Sequence, residues 1–250
     1  MRRTVLAALL AALFAFPALA AAPSAPDGAA ILKTVDRNLE PESYESFRKL
    51  INIEPDGSHK DYVLYTVKKG SDKLVALFLS PASEAGRGTL RLGDNMWLYI
   101  PEVGRPIRIT SLQSVVGGVF NNADILRLDY SVEYNVAKLE ATADTYVLTL
   151  KAKTDAVAYD RLVMRVNRAD LLPTEIACYA ASGILVKTLR FSDVKDFGGG
   201  IRRPAEITTD SPLYKGYKSV MIFAGLKARI FPDEVFTLSF LPKVGTLRPQ

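Results

Sequence analysis

The sequence has 250 residues, 48% of them hydrophobic, with a formal net charge of +5, one cysteine and one histidine. This length suits one sizeable domain, and a single cysteine excludes an internal disulfide, so a large apolar core must hold the fold. The mild basic charge fits an anionic membrane surface or nothing in particular, and the N-terminal export signal described next argues against nucleic acid.

The N-terminal residues have the pattern of a secretory signal peptide. Arg2 and Arg3 precede an apolar run over residues 5–16, and Ala18-Leu19-Ala20 provides small residues for cleavage. The run is too short for a transmembrane helix, which needs ~20 apolar residues. We therefore expect a signal peptide over 1–20, a linker over 21–26 and one domain over 27–250. Loss of Arg2 and Arg3 lowers the net charge from +5 to +3.

The domain is predicted to begin with a helix and to continue as strands. Asp27 is a good N-cap, apolar residues from Ile31 to Leu39 recur at helical spacing, and Pro41 ends the pattern. Short alternating or apolar runs separated by turn residues predict a meandering antiparallel sheet, closed or nearly closed into a barrel. The predicted strands are 43–53, 59–68, 72–80, 89–92, 96–100, 105–110, 130–140, 144–153, 159–167, 172–181, 184–193, 201–209, 218–230 and 234–241.

The stretch 88–129 interrupts this sheet with two predicted apolar helices. The first ends at Gly117-Gly118, and Asn122 is expected to cap the second. Helices this short are not stable alone in water and must dock on an apolar surface. The residues expected to dock are Leu112, Val115, Val116, Val119, Ile125, Leu126 and Leu128.

Several strands are apolar on both faces, which an antiparallel strand with one wet face should not be. Either the helices cover one face, or the sheet curls around an apolar cavity that admits a lipid. In strand 96–100, alternation places Met96, Leu98 and Ile100 on one face and Trp97 and Tyr99 on the other. We assign the first face to the cavity together with Leu77 and Leu79, and Trp97 and Tyr99 form the alternative face.

The sequence offers few groups for catalysis or metal binding. His59 lies beside a Pro-Asp-Gly turn, and no HExxH, GxSxG or phosphate-binding glycine motif is present. Cys178 lies in an alternating apolar run and is expected to be a buried hydrophobe. We expect no enzyme activity, no cofactor and no metal site, although a hydrolase with a carboxylate pair stays open as a lesser alternative.

Several segments resemble the outer membrane lipoprotein-sorting family of LolA-like periplasmic carriers, over residues 31–241. The W-x-Y-x-P pattern after a turn is the most recognisable of them. The resembling segments are FLSP at 78–81, GTL at 88–90, DNMWLYIP at 94–101, GVFNNADIL at 118–126, YAASG at 179–183 with Lys187, and Phe236-Thr237.

This resemblance implies a mainly β fold, a half-open antiparallel barrel whose N-terminal helix and short lid helices cover an apolar cavity. It also implies a periplasmic monomer that carries a lipid or lipoprotein towards the outer membrane. An inner-membrane exporter and an outer-membrane acceptor would be its partners, with no nucleic acid. The segment 105–129 is longer and richer in Gly and Asn than a minimal lid, which leaves other lipids open as cargo. A periplasmic sensor that binds a partner protein through the same fold is the alternative.

Overall fold

The computed structural model describes residues 26–249, so the predicted signal peptide and most of the linker lie outside the described residues. Over this range the chain forms thirteen strands, which are β1 Ser43–Ile53, β2 His59–Lys69, β3 Lys73–Ser80, β4 Gly88–Leu92, β5 Asn95–Tyr99, β6 Ile107–Ile109, β7 Tyr134–Ala141, β8 Thr145–Ala152, β9 Arg161–Asn167, β10 Pro173–Tyr179, β11 Leu185–Asp196, β12 Arg202–Asp210 and β13 Lys218–Ala228. None of the helices in residues 26–249 has the length and apolar character needed to cross a membrane.

All thirteen strands belong to one antiparallel sheet with the order β6-β5-β4-β3-β2-β1-β13-β12-β11-β10-β9-β8-β7. Two meanders, β1 to β6 and β7 to β13, are therefore joined where β1 pairs with β13. Strands β6 and β7 form the two edges and do not pair with each other. This arrangement confirms the predicted half-open antiparallel barrel.

Helix α1 (Gly28–Leu39) begins and ends as its sequence predicts. The Asp27 carboxylate accepts a hydrogen bond from the Ala29 N–H, and the helix stops two residues before Pro41. Its buried face consists of Ile31, Leu32, Val35, Asp36 and Leu39. Because this apolar face packs inside the sheet, α1 covers part of the inner face.

The sheet buries apolar side chains on both of its faces. The inner cluster contains the buried face of α1 and inward side chains of most strands, among them Phe78, Met96, Leu150, Ile176 and Met221. The outer cluster lies on the opposite face of β2 to β5 under the C-terminal segment (residues 229–249) and contains Tyr65, Val67, Val75, Leu77, Leu90, Phe231, Val235, Phe236, Leu241 and Val244. The two-faced apolar strands are therefore explained by two separate covers.

The predicted helix over Leu112 to Val119 does not form. Residues 111–121 make turns and an isolated antiparallel bridge between Ser114 and Asn121, and Val116 and Gly117 have φ values of 47° and 75°. The second predicted helix exists as α2 (Asn122–Ile125), but its N-cap is Asn121 rather than Asn122. Asn121 and Asp124 form a capping box, in which each side chain accepts the other residue's backbone N–H.

Two strand predictions also need correction. The first four residues of the predicted strand 130–140 form the short helix α3 (Tyr130–Glu133), and the strand begins at Tyr134. The predicted strand 234–241 is replaced by two 3-10 helices, Asp233–Phe236 and Leu241–Leu247. At the start of α3, the Asp36 carboxylate accepts the Tyr130 and Ser131 N–H groups, and in the C-terminal segment Val235, Phe236 and Leu241 pack on the outer face of the sheet.

Candidate functional site

The candidate site is the interior of the sheet beneath the crossing segment, which we define as residues 111–133. This segment joins the two edge strands β6 and β7, and it places Phe120, Ile125 and Leu126 in the inner cluster. The cavity that remains has a volume of about 40 Å³. An apolar cavity of ~150 Å³ is needed to hold a benzene molecule, so the interior as folded has no room for an acyl chain.

Buried basic side chains of the sheet hold the backbone of the crossing segment. Arg48 Nη1 donates to the Ile125 carbonyl at 3.1 Å, Arg91 Nη1 donates to the Leu126 carbonyl at 3.0 Å, and Lys187 Nζ donates to the Val119 carbonyl. A short helix leaves its last carbonyls without partners, and the first two bonds satisfy these groups at the end of α2. The crossing segment is thus attached to the sheet through its main chain.

A second contact is centred on Glu40, a buried carboxylate that directly follows α1. Its oxygens lie 2.8 Å from Arg127, 3.3 Å from Lys68, 3.7 Å from Arg203 and 3.9 Å from Arg48. Burial works to raise the pKa of Glu40, but the four cations, with Arg127 foremost, lower it well below its usual range. Burial in turn lowers the pKa of Arg203 to about 10.

Three further acidic residues, Asp36, Asp129 and Glu133, fix the end of the crossing segment. Asp36 of α1 accepts hydrogen bonds from the Tyr130 and Ser131 N–H groups at 2.7 and 2.9 Å, which caps the start of α3. Burial raises the pKa of Asp36 despite Arg127 and the Ser131 N–H, which act to lower it. Asp129 pairs with Lys68, and Glu133 pairs with Arg91.

A third polar group joins the middle of the crossing segment to β11. Lys187 Nζ lies 2.8 Å from the Asp124 carboxylate, and the Tyr159 hydroxyl donates to Asp124 at 3.0 Å. Asn121 Nδ2 donates to the Tyr159 oxygen at 2.8 Å. Burial, followed by the Asp124 charge, raises the pKa of Tyr159 well above its usual value, so its hydroxyl keeps its proton and acts as a donor.

The structure places the predicted site residues in three environments. Met96, Leu98, Val115, Ile125 and Leu126 are buried, and the strand register puts Met96 and Leu98 on the inner face. Val116 is half-buried against the inner cluster and Ile100 is half-buried just beyond β5. Leu112 is 60% exposed and docks on nothing, because the helix that would bury it does not form.

The grouping of Leu77 and Leu79 with Met96 is corrected by the register. Leu77 is paired with Gly88 and Gly88 with Tyr99, so Leu77 shares a face with Tyr99 and Trp97. Leu77 belongs to the outer cluster, and the side chains of Leu79, Trp97 and Tyr99 pack against it. The predicted division between Met96 and Leu98 on one face and Trp97 and Tyr99 on the other is confirmed. Leu77 and Leu79 do not line the interior.

Sequence reasoning missed the buried charges, which are the main polar features of the site. Lys68 and Arg91 each fall in phase with inward apolar neighbours, since Lys68 is paired with Leu74 and Arg91 with Met96. A basic residue at an inward position of an apolar strand is the signal that could have found them. Cys178, in contrast, is the buried hydrophobe that the sequence predicts. Among residues 26–249, no group of three or more potential ligands could hold a metal ion.

Comparison with known proteins identifies the family. A family model described as "Uncharacterized protein" matches residues 70–243, more than half of the chain. The structure superposes on a LolA superfamily protein from Nitrosomonas europaea with a TM-score of 0.78 and 28% identity, over 87% of this chain and 100% of that one. The chain belongs to the family of this model and is LolA-like.

Two further LolA-like relatives share the fold. A putative outer membrane lipoprotein-sorting protein domain from Vibrio parahaemolyticus has a TM-score of 0.74 and 19% identity, over 86% of this chain and 98% of that one. A DUF1329 family protein from Desulfovibrio piger has a TM-score of 0.75 and 24% identity, over 86% and 97%. No curated protein matches the chain in sequence. These two structures, both under 25% identical to this chain, show that the fold is shared.

Proposed function

We propose that this protein is a periplasmic carrier that shields the acyl chains of a lipid or lipoprotein on the way to the outer membrane. One observation carries the proposal: apolar side chains of the crossing segment fill the interior, while its backbone is held there by hydrogen bonds from Arg48, Arg91 and Lys187. Such a segment occupies the space that an acyl chain would take, and its polar attachments can be exchanged for water when it leaves.

The energetics of cargo transfer agree with this arrangement. Each methylene group kept from water contributes ~0.8 kcal/mol, so a free acyl chain does not cross an aqueous compartment unaided. A carrier must also release its cargo, and a segment that returns to its own buried site competes directly with the acyl chain. Opening and closing of the crossing segment is therefore the step that loads and unloads the protein.

The carrier role defines the other parts of the proposal. The predicted signal peptide would deliver the domain of residues 27–250 to the periplasm, where an inner-membrane exporter would supply the cargo and an outer-membrane acceptor would receive it. We expect the carrier to be a monomer. We also expect no enzyme activity, because the buried carboxylates Glu40 and Asp124 are both engaged with cations in the closed interior.

A reversible lock on the crossing segment tests the proposal. An ideal Cβ on Gly118 would lie 2.4 Å from Cγ of Asn52, so cysteines at these two positions would have Cβ atoms near the ~3.8 Å separation of a disulfide. We expect wild-type protein to bind a fluorescent fatty acid. The oxidised Asn52→Cys/Gly118→Cys protein should bind it weakly, and reduction should restore binding.

The single variant Asn52→Cys, treated with the same oxidant and reductant, is the control. Wild-type protein that binds no fatty acid or phospholipid at all would contradict the carrier role. Equal binding by the oxidised and reduced double variant would show that loading does not require the crossing segment to move. Mass spectrometry of lipids extracted from protein purified out of its own periplasm would then name the cargo.

A further inference from the structure

A second cavity opens on the surface beside the crossing segment. This cleft lies between residues 112–121 and the turn 211–217 that connects β12 to β13, and it has a volume of about 610 Å³. That size falls within the ~300–1,000 Å³ range of ligand pockets. Its lining includes Leu112, Gly117, Val119, Ala180, Leu213 and Tyr214.

The rim of the cleft exposes large apolar side chains. Leu112, Leu213 and Tyr214 are 60%, 54% and 63% exposed, and Tyr217 is 39% exposed beside them. Single exposed apolar residues are ordinary on protein surfaces, but several around one concave site mark a place where an apolar partner binds. The cleft is thus suited to an apolar occupant.

Most polar side chains of the cleft lining are engaged within the protein, and the Tyr214 and Tyr217 hydroxyls at the rim are the exceptions. Ser114 Oγ donates to the Gly118 carbonyl at 2.6 Å, and Ser211 Oγ donates to the Val186 carbonyl at 2.5 Å. The charged residue of the lining, Lys187, is held by Asp124 and by the Val119 carbonyl. A bound peptide would find few partners here for its backbone N–H and C=O groups beyond the Tyr214 and Tyr217 hydroxyls, which is costly, whereas an acyl chain brings no such groups.

Only a thin partition separates the cleft from the interior cavity. Ala158 lines both spaces, and along the crossing segment Val119 and Asn121 line the cleft while Phe120, between them, lines the interior. The partition is secured by the Asn121–Tyr159 hydrogen bond at 2.8 Å and by a bond from the Val119 N–H to Ser219 Oγ at 2.9 Å. A small displacement of these residues would make the two spaces continuous.

We propose that this cleft is the loading site for a single acyl chain, which lies there before it passes the Val119–Asn121 partition into the interior. This inference rests on the proposed carrier function. It adds the route of entry: the chain enters at the side of the crossing segment, between residues 112–121 and the turn 211–217, rather than at the end covered by α1.

Photolabelling locates the chain without any substitution. Wild-type protein is mixed briefly with palmitic acid that carries a diazirine, irradiated, digested and mapped by mass spectrometry. At short mixing times we expect labels on the residues Leu112 and Tyr214 themselves, and at long times additional labels on interior residues such as Phe223. Labels confined to the interior at all times would overturn the loading site and leave the carrier role intact.

A variant that fills the cleft measures its contribution. Ala180 is half-buried in the lining, and Ala180→Trp places a large side chain there, whereas Ala141→Trp adds the same side chain at an exposed site in β7. We expect Ala180→Trp to slow loading of a fluorescent fatty acid by about tenfold or more, equivalent to about 1.4 kcal/mol in the barrier. Ala141→Trp should load at the wild-type rate.

The outcomes separate the two proposals. Equal loading rates in the two tryptophan variants would overturn the loading site and would be the result expected if the cleft serves a peptide partner instead. No fatty-acid binding by wild-type protein would overturn the carrier function and the loading site together. If Ala180→Trp does not fold, the photolabelling map of the wild-type protein decides the question alone.

Discussion

The two faces of strands β2 to β5 are covered in different ways. On the inner face the crossing segment combines buried apolar side chains, among them Phe120 and Leu126, with a second kind of attachment. Its main chain accepts hydrogen bonds from the buried side chains Arg48, Arg91 and Lys187. On the outer face the C-terminal segment is held mainly by apolar side chains, with Leu241 and Val244 fully buried. Its polar attachments to the sheet are ion pairs nearer the surface, which include Arg229 with Glu45 and Asp233 with Lys69 and Lys73.

This difference indicates which cover can move. Apolar contacts are lost to water at full cost when a cover leaves, at ~1.5–3 kcal/mol for each large side chain. Hydrogen bonds and ion pairs are largely replaced by bonds to water, so their net contribution is smaller once both partners are hydrated. Under the proposed function, an acyl chain would replace the apolar contacts of the inner cover and water would replace its hydrogen bonds. No occupant is proposed for the site of the outer cover, so its apolar contacts would be lost if it left.

The largest effect is expected at the charged centre of the inner cover. Glu40→Gln leaves Arg48, Arg127 and Arg203 without their shared carboxylate in a buried site, so we expect a loss of about 3–5 kcal/mol in the free energy of unfolding. Chemical denaturation measures it. Glu42→Gln, at an exposed position two residues on, is the matched control, and equal stability of the two variants would contradict this role for Glu40.

The outer cover should respond in stability without a change in cargo binding. Leu241→Ala removes a fully buried side chain from the outer cluster, and we expect a loss of about 3 kcal/mol in the free energy of unfolding. Leu238→Ala, at a position that is 40% exposed in the same segment, should cost less than about 0.5 kcal/mol. A fatty-acid affinity that changes in Leu241→Ala, measured where the variant is fully folded, would remove the distinction between the covers.

Acid should act on the inner cover through Glu40. Because the folded-state pKa of Glu40 is lowered from the ordinary 4.5, its stabilisation is present above that pH and is lost as the pH falls towards the folded-state pKa. Asp36, whose pKa is raised, acts in the opposite direction. The difference in stability between wild type and Glu40→Gln should be constant above pH 4.5 and should shrink below it by about 1.4 kcal/mol for each pH unit. A difference that stays constant down to pH 3 would be inconsistent with this account.

A single methyl group should loosen the start of the crossing segment. An ideal Cβ on Gly118 would lie 2.0 Å from Asn52 Oδ1, so Gly118→Ala must displace either the Asn52 side chain, which holds the Val116 carbonyl, or the segment itself, at a cost of about 1–3 kcal/mol. Hydrogen exchange should then be faster in residues 111–133 than in the sheet. Gly225→Ala, where no atom lies within 4 Å of the added Cβ, is the control and should leave exchange unchanged.

The smallest effect is expected at Leu112. The side chain is 60% exposed, so Leu112→Ala should change the free energy of unfolding by less than about 0.5 kcal/mol. A docked helix at this position, as the periodicity predicts, would instead make the substitution cost several times more. Thermal unfolding of the variant beside Val115→Ala, whose side chain is buried, distinguishes the exposed turn from a docked helix.

Local sequence patterns were sufficient for most of the secondary structure and for the opposite faces of Met96 and Trp97. Alternation and turn residues are properties of neighbouring residues, so they predict strands, hairpins and the α1 boundaries without long-range information. The segments that resemble the lipoprotein-sorting family then predicted a half-open barrel around an interior. None of these signals reports what covers each face of the sheet.

Tertiary structure decided the covers, because both faces of β3 and β5 are apolar and alternation alone cannot distinguish inside from outside. Only the register through Gly88 places Leu77 and Tyr99 under the C-terminal segment. The helical spacing at residues 112–119 was likewise overridden by distant partners. Asn52 holds the Val116 carbonyl and Ser219 holds the Val119 N–H, from strands far away in the sequence. These hydrogen bonds satisfy backbone groups of residues 112–119 without a helix. The weak helical preference of this stretch therefore does not decide its structure.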